Sequence, residues 1–161
     1  MKSMNRVLFF ISCIIALLSA PVLADEGRLI QPSSDYTPEQ VIEIQLLGLQ
    51  ASKDDLRGIE QVWVFAHPSN KRVTGPIGRF ARLFTYPAYA PMVGHTSYQY
   101  QLIDKDVETA RFKVTLTGRD GRAYEYLWDL RKTQPEDVTA ETQAGWWMTT
   151  GVTAPRTGDA L

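Results

Sequence analysis

Between Pro87 and Thr96 the spacing of apolar residues changes from three or four to two, and this change dictates helices first and strands after. Upstream, Thr37 is a natural N-cap, Pro38 fits the first helical position and Gln40 closes a capping box. The helix so opened carries two apolar stripes, Ile42, Leu46 and Leu49 on one side and Ile44, Leu47 and Ala51 on another, which predicts a helix sandwiched on two faces. Ser52 is the expected cap of a second helix, with Asp54 and Asp55 in its first turn and Leu56, Ile59, Trp63 and Ala66 as its core face. His67-Pro68 ends it, because the residue before a proline avoids the helical region. Ser69 to Val73 reads as a polar loop. Thr74-Gly75-Pro76 then opens a short third helix with Ile77, Phe80, Ala81 and Phe84 inward and Arg79 and Arg82 on the opposite side.

Downstream the alternation is regular. Tyr98, Tyr100 and Leu102 alternate with polar residues over 96–103, and Ala110, Phe112, Val114 and Leu116 do so over 110–117. Tyr124, Tyr126, Trp128 and Leu130 share one face of the next strand, leaving Glu125, Leu127 and Asp129 on the other. Asp104-Lys105-Asp106 and Arg119-Asp120-Gly121 are turn sequences, the second with glycine for positive φ. Residues 132–144 form a charged loop, and 145–153 a last strand. The expected fold class is α+β, with three N-terminal helices packed on a curved antiparallel sheet of four or more strands.

The first 24 residues read as a signal peptide: Lys2 and Arg6, an apolar run from Val7 to Leu18, then Pro21 and a small-residue exit at Val22-Leu23-Ala24. The run is short against the roughly 20 residues of a membrane span, so cleavage near Ala24 is expected rather than an uncleaved anchor. Phe10-Ile11-Ser12 before Cys13 is a poor lipobox. Cleavage removes the only cysteine, so the periplasmic or secreted domain is expected to hold together without disulfides. It also removes two basic residues and no acid, leaving 15 basic against 18 acidic residues and a net charge of −3, which argues against a nucleic-acid binder. The expected organisation is a signal peptide over 1–24, a polar leader over 25–36, a single domain over 37–154 and a tail over 155–161.

The run VIEIQLLGLQASKDDLRGIEQVWVFAHPSNK, then GRFARLFTYPAYAPMVGH and a final GWWMTTGV, resembles the family catalogued as domain of unknown function 4864. The resemblance covers about residues 38–154. Its distinctive marks are Phe65-Ala66-His67-Pro68, Pro87-Ala88-Tyr89-Ala90-Pro91 and Trp147-Met148-Thr149-Thr150-Gly151-Val152. His67 departs from the serine more usual at that place. The resemblance implies membership of the nuclear transport factor 2-like superfamily, a cone of three helices capping a bent sheet with a cavity between. It implies no activity, because that superfamily holds isomerases, cyclases and dehydratases beside non-catalytic modules.

Residues 61–103 contain no Asp or Glu but hold Lys71, Arg72, Arg79, Arg82 and both histidines, which makes this junction the first place to look for a site. His67 reads as a base or ligand group at the cone's rim, or as a structural residue bonded to loop backbone. His95 reads as a group at the same mouth or as an exposed residue at a strand start. Asp129 is a general base if its face points into the cone, and otherwise an outward partner of Arg111 or Lys113. Arg79 and Arg82 either grip an anionic ligand or lipid headgroup or form a solvated helix face. With Asn70, Tyr86, Tyr98 and Tyr100, these make the expected ligand-binding set: His67, Asn70, Arg79, Arg82, Tyr86, His95, Tyr98 and Tyr100. No metal or cofactor is expected, because two isolated histidines make a weak metal case and no nucleotide or zinc motif is present. The expected function is a non-catalytic module that binds a small apolar or anionic molecule or pairs with itself as a homodimer. The alternative is a cofactor-free lyase or isomerase using Asp129, His67 or His95. The signal peptide is the only membrane contact expected.

Overall fold

A computed structural model describes residues 28–52 and 56–154. The signal peptide, Asp54, Asp55 and the tail lie outside the described residues. Four α-helices precede four strands: α1 Pro38–Ala51, α2 Arg57–Val64, α3 Pro68–Thr74, α4 Ile77–Leu83, then β1 Ser97–Lys105, β2 Thr109–Thr117, β3 Ala123–Lys132 and β4 Trp147–Thr153. Short 3-10 turns occupy Ala90–Met92 and Pro135–Asp137. The strands form one antiparallel sheet in the order β1-β2-β3-β4.

The start of α1 is the one read from sequence. The Thr37 hydroxyl accepts the Gln40 N–H while the Gln40 side chain accepts that of Thr37. Its packing differs. Val41, Ile42, Gln45, Leu46 and Leu49 are buried, but Leu47 is 48% exposed and Ala51 is exposed, so only one broad stripe meets the core. Ser52 does not sit at the start of α2. It ends α1, and from there its hydroxyl accepts the Gly58 N–H at 2.7 Å, supplying a cap to α2 from six residues away. Leu56 is 59% exposed; Ile59, Val62, Phe65 and Ala66 make the buried face instead.

The stretch expected as a polar loop after Pro68 is helix α3. It has no apolar periodicity to announce it, but Pro68 sits at its first position, and His67 accepts the Ser69 N–H as its N-cap. Arg79 at the start of α4 donates through Nε to Thr74 O at 3.2 Å and through Nη2 to Val73 O, closing the carbonyl end of α3.

Alternation in the strands decides the faces. Ala110, Phe112, Val114, Leu116, Tyr126, Trp128 and Leu130 are buried against α1 and α2 in one core. Tyr98, Tyr100 and Tyr124 are half-buried at its border. The opposite face carries cross-strand ion pairs between Arg111 and Asp129 and between Lys113 and Glu125. Gly121 takes φ +76° in the β2–β3 turn, where Asp120 accepts the Arg122 N–H.

The outer edge of β4 is tied to the α2–α3 junction. His67 N–H donates to Thr149 O at 2.8 Å and Thr149 N–H donates to Phe65 O at 2.9 Å, with Ala66 bridged to Thr149. Asp129 pairs with Gly151 and Leu130 with Thr149, so Thr150 is one extra residue, a bulge beside the cavity described next. The leader is also anchored: the Gln61 side chain exchanges two 2.8 Å hydrogen bonds with the Ile30 backbone, and Tyr36 packs on Phe65.

Candidate functional site

A cavity of about 420 Å³ lies where α2, α3 and α4 meet the inner side of β3 and β4. Val62, Phe80, Leu83, Phe84, Met92 and Val152 give it apolar walls. Its floor is polar and comes from distant parts of the chain. Gln45, on the buried stripe of α1, accepts through Oε1 from Trp128 Nε1–H at 3.1 Å and from the Thr149 hydroxyl at 2.7 Å. Its Nε2 donates to Val62 O at 3.2 Å. All three side chains are buried, so the network fixes α1, α2, β3 and β4 together under the cavity.

Ser69 and Asn70, on α3, also line the cavity. Asn70 Nδ2 donates to Thr149 O at 3.2 Å, and Thr74 donates to the Asn70 side chain and backbone carbonyls. The Thr150 hydroxyl donates to Asp129 O, and the Tyr89 hydroxyl to Val152 O.

Behind Ser69 stands His67, whose side chain is fully buried. Its Nδ1 lies 2.7 Å from Ser69 Oγ and 3.1 Å from the Ser69 amide nitrogen. A backbone N–H only donates, so the Ser69 N–H favours Nδ1 as the acceptor and the proton of the neutral ring on Nε2. Nε2 faces both Asp137 Oδ2 and Arg131 Nη2 at 3.2 Å. Asp137 is itself buried, and Oδ2 also accepts from the Gln134 N–H at 3.0 Å and from Arg131 Nη2 at 3.2 Å. Burial pushes the imidazole below its ordinary pKa; Asp137 pulls it upward and Arg131 adds to the lowering. For Asp137 burial works upward, but the Gln134 N–H, His67 and Arg131 outweigh it and hold the carboxyl below its ordinary value. At neutral pH a carboxylate, a neutral histidine and a serine hydroxyl are therefore in successive contact, with Ser69 lining the cavity.

Of the residues expected to bind ligand, the structure places Asn70 on the cavity wall and His67 one residue behind it. It does not bring the others there. Arg79 and Arg82 are exposed on α4, Arg79 being engaged with the α3 carbonyls, and Tyr86 is exposed beyond that helix. Tyr98 and Tyr100 sit on the far strand β1. His95 precedes β1 and is not an exposed strand-start residue but 2% exposed: Nδ1 bonds Met92 O at 2.7 Å, the ring meets Tyr98 edge-on, and Nε2 has no partner. Burial lowers its pKa against a smaller opposing effect of the Met92 carbonyl. Asp129 faces away from the cavity, 2.6 Å from Arg111 Nε.

Sequence reading missed Gln45, Ser69, Asp137, Thr149 and Thr150. Only Gln45 carried a signal, a polar residue between Ile42, Leu46 and Leu49 on the stripe that must be buried. Among the described residues no group of three or more His, Cys, Asp or Glu side chains is placed to hold a metal ion, and no helix is long and apolar enough to cross a membrane. No protein-family model, no curated protein and no solved structure matches the chain.

Proposed function

We infer that this is an exported small-molecule-binding domain that takes a neutral, largely apolar ligand into the cavity between α2–α4 and β3–β4. The observation that carries the reading is the lining. About 420 Å³ falls in the usual range for small-ligand pockets, roughly 300–1,000 Å³. Its walls are apolar, and a few convergent hydroxyl and amide groups stand ready to orient a ligand. Among the described residues no charged side chain lines it, which favours a neutral ligand over an anionic one. The order of helices before an antiparallel meander, with the cavity between, supports a nuclear transport factor 2-like cone. The segment over residues 1–24 supports export to the periplasm or beyond.

The test is mass spectrometry of the exported protein under native and denaturing conditions, with titration of a neutral fluorescent probe such as N-phenyl-1-naphthylamine. The expected result is a bound small molecule lost on denaturation, or saturable probe binding that Val152→Phe weakens at least tenfold by filling the cavity. A folded protein that binds neither overturns the reading. A mass that is a clean multiple of the chain with nothing bound points instead to a self-associating module.

A further inference from the structure

We propose that Ser69 is a nucleophile toward small apolar carboxylic esters, with His67 as its general base and Asp137 as the positioning residue that fixes the imidazole. This rests on the cavity being a ligand site and names the chemistry at its wall.

Four observations converge. Ser69 lines the cavity. The 2.7 Å contact to Nδ1 is within hydrogen-bond reach of a base. The Ser69 N–H on Nδ1 and the Asp137 carboxylate on Nε2 both favour the proton on Nε2, against Arg131 Nη2, a donor that also lies 3.2 Å from Nε2. His67 is closed off from solvent, so on the Nδ1 side its exchangeable partner is the Ser69 hydroxyl. Nucleophile, base and orienting carboxylate recur in this order on unrelated folds, recognised by geometry rather than sequence position. Here the two ring nitrogens exchange roles, Nδ1 meeting the hydroxyl and Nε2 the carboxylate. A capping histidine at a helix start requires only the Ser69 N–H contact. It does not require a buried carboxylate on the far nitrogen, held in turn by Arg131 and Gln134.

The step is an acyl transfer. Ser69 Oγ bonds the ester carbonyl carbon as its proton passes to His67 Nδ1. The carbon–alkoxy bond breaks, and the departing alkoxide takes that proton to leave as an alcohol. Water then repeats the sequence on the acyl-serine, releasing the carboxylic acid and restoring the hydroxyl. Asn70 lines the same wall, and its amide has a second N–H beyond the one given to Thr149 O, a donor for charge developing on the carbonyl oxygen. The apolar walls select short, uncharged acyl and alcohol groups.

The test is covalent labelling of the mature protein with diisopropyl fluorophosphate, read by intact mass and peptide mapping. Expected is one adduct on Ser69, formed with loss of fluoride and absent in Ser69→Ala. In Asp137→Asn an amide N–H faces Nε2, the proton is driven to Nδ1, and labelling slows by about 100-fold, the scale of a lost general base. Binding of the neutral naphthylamine probe and the thermal midpoint are measured on the same samples. Wild type that binds the probe but gives no Ser69 adduct overturns this inference and leaves the cavity reading standing. Protein that neither binds nor labels overturns both. Equal labelling rates in wild type and in folded, probe-binding Asp137→Asn also overturn it, because the relay is then idle.

Discussion

Helices α1 and α2 meet at Gly48 and Gly58: a Cβ on Gly58 would stand 1.9 Å from the Gly48 carbonyl oxygen and 2.2 Å from Ser52 Oγ. Neither position has positive φ, so the requirement is for close approach and not for backbone freedom. Ser52 uses that closeness to cap α2, which in turn carries Val62 to the cavity. Gly58→Ala is therefore expected to force the helices apart and to lower stability by about 3 kcal/mol, the upper range for overpacking. Gly78, in the first turn of α4, meets nothing within 4 Å, so Gly78→Ala is expected to add about 0.5 kcal/mol by reducing the freedom of the unfolded chain. Urea unfolding of the two variants checks both signs; a neutral Gly58→Ala contradicts the crossing geometry.

Gln45 holds the cavity floor, and removing it strands its partners. Gln45→Leu keeps the volume but leaves the buried Trp128 N–H and Thr149 hydroxyl without their shared acceptor. Each orphaned group costs about 1–3 kcal/mol, and Trp128 Nε1 recovers part of that loss through its 3.2 Å contact to Thr149. The net expectation is a destabilisation of about 3 kcal/mol and weaker probe binding in the same variant. Thr149→Val, which removes one donor and leaves Trp128 on Gln45, is expected to cost about half as much. Chemical unfolding midpoints order the three proteins.

What was legible in the sequence is local. The Thr37-Pro38-Gln40 start of α1 and the alternation in β2 and β3 are set by neighbours within four residues, and the folded chain keeps them. Burial was less legible, because periodicity tells which residues share a face but not how far the partner layer reaches; Leu47 and Leu56 lie past its edge. Helix α3 was hidden for a different reason. Its sequence PSNKRVT has no apolar stripe, and caps at both ends, His67 and Arg79, define it. The site was the least legible, since Ser69 and His67 acquire meaning only when Asp137, in a loop 70 positions further on, folds back onto Nε2.

Asp129 and Arg111 look strong on distance alone, 2.6 Å apart, but they lie on the open face with Arg111 half exposed. Solvent screening leaves such a pair contributing little to stability. Asp129→Asn is expected to leave the melting midpoint within error and probe binding unchanged. A clear loss of ligand binding in that variant would place the site on the other face of the sheet and overturn the cavity assignment.

Acid should weaken the fold in two stages, and the first belongs to the histidines. His67 and His95 are both buried as neutral rings with pKa values lowered from 6.5 chiefly by burial. The unfolded chain therefore binds more protons than the folded one as pH falls below 6.5, so stability is full above that value and is lost as pH drops through the lowered folded values. Each group contributes a slope of at most about 1.4 kcal/mol per pH unit. The Asp137 carboxyl, lowered from 3.8, adds the second stage below that value. His95 has an unpartnered Nε2, so a proton there gains no carboxylate, whereas one on Nδ1 of His67 sits on a ring already held by Asp137. His95→Gln is accordingly expected to flatten the dependence below pH 6.5 more than its cost at pH 8 would indicate. Urea midpoints at half-unit intervals read this directly, and an unchanged slope in His95→Gln would assign the first stage to His67 alone.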